Sequence, residues 1–96
     1  MDRTQALQML ALHKPALMAR FGVERLALFG SLSRGDATAS SDLDILVAFD
    51  GPATSDRYFG VQFYLEDLFG RPIDLVTEQA LRSEFRSGVE RDAAYV

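Results

Sequence analysis

The run LFGSLSRGDATASSDLDILV, residues 28–47, places two aspartates, Asp42 and Asp44, at the head of an apolar stretch just after a glycine–serine turn, Gly30-Ser31. The stretch DLDILVAF reads as a strand covered on both faces, and a carboxylate taken into such a strand is costly unless something compensates it. Strand side chains alternate, so Asp42 and Asp44 share one face while Leu43, Ile45 and Val47 take the other. Like charges that close disfavour each other's ionisation. A divalent cation is the simplest remedy, and hard oxygen ligands suit Mg²⁺ or Mn²⁺. Asp74, in the later apolar run PIDLV, offers a third carboxylate from a neighbouring strand. Three carboxylates on two adjacent strands suit a pair of metal ions, the clamp used for in-line displacement at phosphorus.

The Gly30-Ser31 turn falls between a strand end and a short helical turn. Free backbone N–H groups and the helix dipole favour an anion there, such as a triphosphate. Gly30 lets the backbone approach closely, the Ser31 hydroxyl can donate a hydrogen bond, and Arg34 lies one helical turn further on. Taken singly, each feature has a plain structural explanation: a strand end, a turn, an edge charge. Their order and placement together are what make them specific.

The rest of the chain frames this constellation. Leu7, Leu10, Ala11, Leu17, Met18 and Phe21 recur at helical spacing over 4–21, with a break or kink expected at Pro15, near Lys14. Gly22 ends that segment, and VERLALFG (23–30) reads as a strand. After the loop and the aspartate strand (42–49), helical spacing resumes over 55–69 through Tyr58, Val61, Leu65 and Leu68, with Thr54 or Ser55 as N-cap. Gly70 ends that helix, RPIDLVT (71–77) makes a third strand, and the tail to Val96 is expected to form one or two short helices. The order α-β-α-β-α-β-α predicts an α/β domain with a small sheet, one domain over residues 1–96.

Composition narrows the function classes. The chain has no cysteine, which excludes thiol catalysis and disulfides. It has no apolar block of signal or membrane-span length, so a soluble, cytoplasmic protein without membrane contact is expected. A net charge of −4 argues against a broad nucleic-acid-binding surface. His13 is expected to be a surface residue of the first helix. Tyr58, Phe59, Phe63 and Tyr64 read as core packing, with some left to face a partner. The apolar end AAYV is expected to dock on its own sheet or on a partner.

Gly30-Ser31, Gly35, Asp42-Leu43-Asp44 and the lone Asp74 together resemble the signature of the DNA polymerase β-like nucleotidyltransferase superfamily. Within it, FGSLSRGDATASSDLDILVAFD is most similar to the minimal nucleotidyltransferases (MNT), small proteins encoded beside a helical HEPN protein as a toxin–antitoxin pair. The resemblance implies the α/β (α+β) nucleotidyltransferase fold, a small mixed β-sheet flanked by helices. It also implies Mg²⁺-dependent transfer of AMP from ATP, with two ions, to a tyrosine hydroxyl of a HEPN-family toxin. Carried over by position, Gly30 and Ser31 would hold the β- and γ-phosphates, and Arg34 would add a phosphate contact. Asp42 and Asp44 would bind both metals, while Asp74 would complete the metal site and help deprotonate the attacking hydroxyl.

Larger relatives carry a further helical domain. A body ending at Val96 is therefore expected to have a shallow, open site, with acceptor recognition supplied by a partner or by a second copy in a homo-oligomer. Two other functions compete: a non-catalytic antitoxin that neutralises its toxin by covering it, and a transferase acting on a small molecule such as an aminoglycoside. The complete set of Gly30, Ser31, Asp42, Asp44 and Asp74 favours the catalytic reading.

Overall fold

Asp2 nucleates the first helix. Its side chain accepts the Gln5 N–H at 2.8 Å while Gln5 Oε1 accepts the Asp2 N–H at 3.0 Å, a reciprocal capping box. From there α1 runs over Arg3–Phe21 without interruption, so the break expected at Pro15 does not occur. Proline deletes one hydrogen bond, the one to the Ala11 carbonyl. Pro15 and Ala11 are both exposed, so water can satisfy that carbonyl. Leu10 and Leu17, one on each side, are wholly buried and hold both halves of the helix against the sheet. Gly22 closes α1 in the left-handed region (φ 73°), where its N–H returns to the last carbonyls of the helix.

The computed structural model describes residues 1–30, 42–81, 88 and 91–96. After α1 come β1 (Val23–Phe29), β2 (Leu43–Phe49), α2 (Ser55–Phe69), β3 (Ile73–Thr77) and β4 (Ala94–Tyr95). The strands form one mixed sheet in the order β3-β2-β1-β4. β1 is antiparallel to both β2 and β4, whereas β2 and β3 are parallel and joined through α2. That parallel pair needs a crossover, and α2 supplies it. The described part of the tail is helical at Gly88, Arg91 and Asp92, as expected, and its end adds a fourth strand: AAYV docks on its own sheet, with Ala94 and Tyr95 paired to Leu28 and Ala27 along the edge of β1.

A bulge between Val23 and Arg25 reconciles the spacing of β1 with its burial. One extra residue there lets Val23 face the same side as Leu26 and Leu28, although their separations are odd. These three join Leu43, Ile45, Val47 and Phe49 of β2, and Ile73 and Leu75 of β3, in a single core with Leu10 and Leu17 of α1 and Val61 and Leu65 of α2. Both helices therefore pack on one face of the sheet. The Tyr58 hydroxyl donates to the Leu75 carbonyl at 2.6 Å and ties α2 to β3. At the far end of the sheet, Arg25 Nε donates to Glu78 at 2.7 Å, and that hydrogen bond is the main reason the guanidinium pKa is raised. No helix among the described residues is long and apolar enough to cross a membrane.

α1 and α2 meet at Gly60, where a Cβ would run into the Phe21 ring. Gly60→Val is expected to cost about 1–3 kcal/mol through overpacking, because a β-branched residue recovers little helix propensity to offset the clash. A lowered urea midpoint would show it, and trimming the ring with Phe21→Ala in the same chain should recover part of the loss.

Candidate functional site

Strand direction gathers Gly30 and the three predicted aspartates at one end of the sheet. β1 runs antiparallel to β2, so Gly30, which follows the last residue of β1, arrives beside the start of β2. β2 and β3 are parallel, so their starts coincide as well. In that register Asp44 is the Cα partner of Phe29 on one side and of Asp74 on the other. Paired residues on adjacent strands point to the same face about 4.8 Å apart. Asp44 and Asp74 therefore stand side by side, on the face opposite the helices. Asp42, two residues before Asp44, falls on that same face by alternation.

One further backbone bond, to Pro72, joins the heads of β2 and β3: the proline carbonyl accepts the Leu43 N–H at 3.3 Å. A proline just before a strand is tolerated because the missing N–H lies outside the ladder. The local signal was the proline itself, at the head of an apolar run.

Gly30 and Asp44 are in closer contact than spacing alone indicates. Gly30 has φ +74°, a left-handed conformation open to glycine, and a Cβ built there would overlap the Asp44 carboxylate, lying 2.7 Å from its Cγ. The backbone is pressed directly against a carboxylate. Only the absence of a side chain makes that approach possible.

The carboxylates are not buried in the way the apolar context suggested. Asp42 and Asp74 are exposed and Asp44 is half-buried, while the neighbouring Leu46 and Ala48 are closed to solvent. The physical reason is position: the aspartates sit at the strand starts, at the rim of the sheet, and the apolar residues follow them inward. Among the described residues, no three His, Asp or Glu side chains are gathered closely enough to hold a metal ion as they stand. The donor chemistry nevertheless fits a hard divalent cation, with carboxylate oxygens from two strands in register. Ser31 and Arg34, expected to contact phosphates, lie outside the described residues.

His13 departs from its expected surface role. It is half-buried on α1, and its Nδ1 lies 2.6 Å from the Tyr64 hydroxyl of α2, with the rings edge to face. Arg20 lies over the same tyrosine, 5.4 Å from its centroid. This is inter-helix packing on the layer remote from the aspartates.

Comparison with known proteins gives the family and the fold. The nucleotidyltransferase domain family matches residues 10–96. The chain is 40% identical over 87 residues to the protein adenylyltransferase MntA of Thermococcus cleftensis, covering 91% of this chain and 88% of that one. A solved structure provisionally named a minimal nucleotidyltransferase superposes with a TM-score of 0.80 at 38% identity, over 98% of this chain and 95% of that one. A tri-AMPylated Shewanella oneidensis HEPN toxin in complex with an MNT antitoxin shows the same fold at 17% identity, with a TM-score of 0.60, over 97% of this chain and 66% of that one.

Proposed function

This chain belongs to the nucleotidyltransferase domain family, and from that premise we propose that it transfers AMP from ATP to a tyrosine hydroxyl of a HEPN-family toxin, acting as its antitoxin. The observation that carries the reading is the contact of Gly30 with Asp44, in register with Asp74, at one rim of the sheet. That arrangement puts a close-approach backbone beside two carboxylates, as nucleotide phosphates with a compensating cation require. The name of the Thermococcus relative supports AMP transfer to protein, and the Shewanella complex supports a HEPN partner. We take residues 1–96 as a single transferase domain.

In this reading the Gly30 backbone, the Ser31 hydroxyl and Arg34 hold the β- and γ-phosphates. Asp42, Asp44 and Asp74 would hold Mg²⁺, two ions in the family pattern, which supplies charge neutralisation at the phosphates when bound. Asp74, on the exposed edge strand, takes the proton from the tyrosine hydroxyl. The tyrosine oxygen forms a bond to the α-phosphorus while the bond from that phosphorus to the β-phosphate bridging oxygen breaks. Pyrophosphate leaves with the electron pair, and AMP remains on the tyrosine. Exposure of Asp42 and Asp74 fits an acceptor delivered from outside, since the rim is open to a partner protein.

The test is AMP incorporation, by intact mass, into the HEPN protein encoded beside this chain, its Tyr→Phe variants, and a panel of aminoglycosides under the same conditions. Modification of the partner that depends on one tyrosine is the expected result. Rapid modification of an antibiotic with the partner untouched would overturn it, and toxin neutralisation without any incorporation would mark a purely binding antitoxin. Asp74→Asn should lower the single-turnover rate by a factor of about 10² to 10⁴, the usual cost of losing a general base. ATP affinity, titrated by calorimetry, should fall much less. An unchanged rate would make Asp74 a structural edge charge.

A further inference from the structure

The carboxylate face is only half of the molecule's exposed chemistry. On the opposite layer, α2 turns two phenylalanines to water: Phe59 is 49% exposed and Phe63 61%. Their rings are stacked, with centroids 6.1 Å apart and planes 24° from parallel. The Tyr58 ring meets Phe59 edge to face at 5.2 Å, and its own hydroxyl is anchored to β3. Large aromatics held in one arrangement lose little freedom on contact, which is why they dominate interaction surfaces. A pair left in water beside a complete core marks such a surface.

The charges that α2 itself places around the pair are of one sign, and Arg20 of α1 shares a hollow with Asp67 at the inner edge. At 100° per residue, Asp56, Glu66 and Asp67 fall on the same side of α2 as Phe59 and Phe63. Arg57, the helix's one basic residue, points elsewhere and bonds Asp50 at 3.0 Å. The surface is an apolar centre with acidic ends. A second copy of this chain is a poor occupant: pairing α2 with itself, parallel or antiparallel, sets acidic ends against acidic ends. Like charges opposed across an interface cost affinity.

We propose that the Phe59–Phe63 face of α2 docks a basic amphipathic helix of a partner protein, whose apolar seam covers the two rings and whose Lys or Arg residues meet Asp56, Glu66 and Asp67. This is the helix-on-helix mode of recognition, with anchors at i, i+3, i+4 and i+7. The crossover topology gives the face a further use. α2 runs from the end of β2 back to the start of β3, so Phe63 and Asp67 lie toward the end of the sheet that carries Asp44 and Asp74. β3 is an edge strand, so a partner seated on α2 reaches the aspartate rim around that edge. The inference concerns binding alone and does not depend on AMP transfer.

The test uses the full chain without nucleotide and two synthetic helical peptides. They share a leucine seam at i, i+3, i+4 and i+7 and differ only in lysine or glutamate flanks. The lysine peptide is expected to bind, by fluorescence anisotropy, with amide shifts concentrated on α2, and the glutamate peptide is expected to bind much more weakly. Phe63→Ser should weaken binding about tenfold or more. Glu66→Lys with Asp67→Lys, substitutions that suit a helix C-terminus, should reverse the preference toward the glutamate peptide; melting curves verify folding of each variant. No binding of either peptide, equal binding of both, or an unchanged affinity in Phe63→Ser would overturn the proposal. Concentration-dependent dimerisation that Phe63→Ser abolishes would assign the face to a second copy instead. Because no nucleotide is present, failure here leaves the transferase reading standing.

Discussion

Asp44→Asn is expected to abolish AMP transfer, by several orders of magnitude, in a protein that still folds cooperatively in the absence of metal. Asp44 is the central carboxylate of the candidate site, paired with Asp74 across the strands and pressed by Gly30 from β1. An amide keeps the shape of the side chain and removes its charge. That takes away an oxygen ligand of the kind Mg²⁺ prefers. It also relieves repulsion with the in-register Asp74 and keeps one hydrogen-bonding oxygen, so the fold should persist without metal. Asp42→Asn is expected to behave alike. Incorporation into the partner, with melting curves recorded with and without Mg²⁺, tests both effects at once: the parent should gain stability from the ion, and the variants should gain much less. Retained activity in either variant would remove that residue from the proposed metal site. A large fall in stability without metal would mark the aspartate as structural.

The second large effect is expected at Gly30. Gly30→Ala faces two penalties in the folded protein. An L-residue at φ +74° carries a backbone cost of about 1–2 kcal/mol. The new methyl would also occupy the place of the Asp44 carboxylate, so either the turn or the aspartate must move. Displacement of reacting groups by about 1 Å can cost on the order of 10² in rate. Loss of transfer should therefore exceed what the modest loss of stability explains. Gly30→Asn separates the causes. Asparagine tolerates the left-handed region better than alanine, yet it places the same Cβ against Asp44. An inactive but more stable Gly30→Asn would put the damage in the contact, whereas recovery of activity with asparagine would put it in the backbone conformation.

The local chemistry of the chain was sufficient for its elements. Leu10 and Leu17 at helical spacing, Gly22 and Gly70 as stops, Thr54 as N-cap and the apolar runs after Asp42 and Pro72 each act through neighbours within a turn or a few residues. These placed both long helices and the first three strands. They also marked the candidate site residues, because a glycine–serine turn before an Asp-x-Asp strand is a feature of sequence as much as of space. Pro15 shows the limit of local rules: its helix continues because burial of Leu10 and Leu17 outweighs one lost hydrogen bond. His13 shows another, since its partner Tyr64 is 51 residues away and no local pattern joins them.

Only the tertiary structure decided which strands are neighbours and in what register. The antiparallel pairing of β1 with β2 and the parallel pairing of β2 with β3 bring Gly30, Asp44 and Asp74 to one rim. A one-residue slip would have sent the aspartates to the core face. The same pairing leaves Asp42 and Asp74 exposed, which their apolar neighbours did not foretell, because burial depends on where a strand begins relative to the sheet rim. The short β4 is of this kind as well. AAYV has too few residues to signal a strand by alternation, and it becomes one because the edge of β1 offers it hydrogen bonds. Hydrophobic period and capping are short-range, so the sequence carries them openly. Register and exposure are set by contacts between distant segments, and they appear only when the chain has closed on itself.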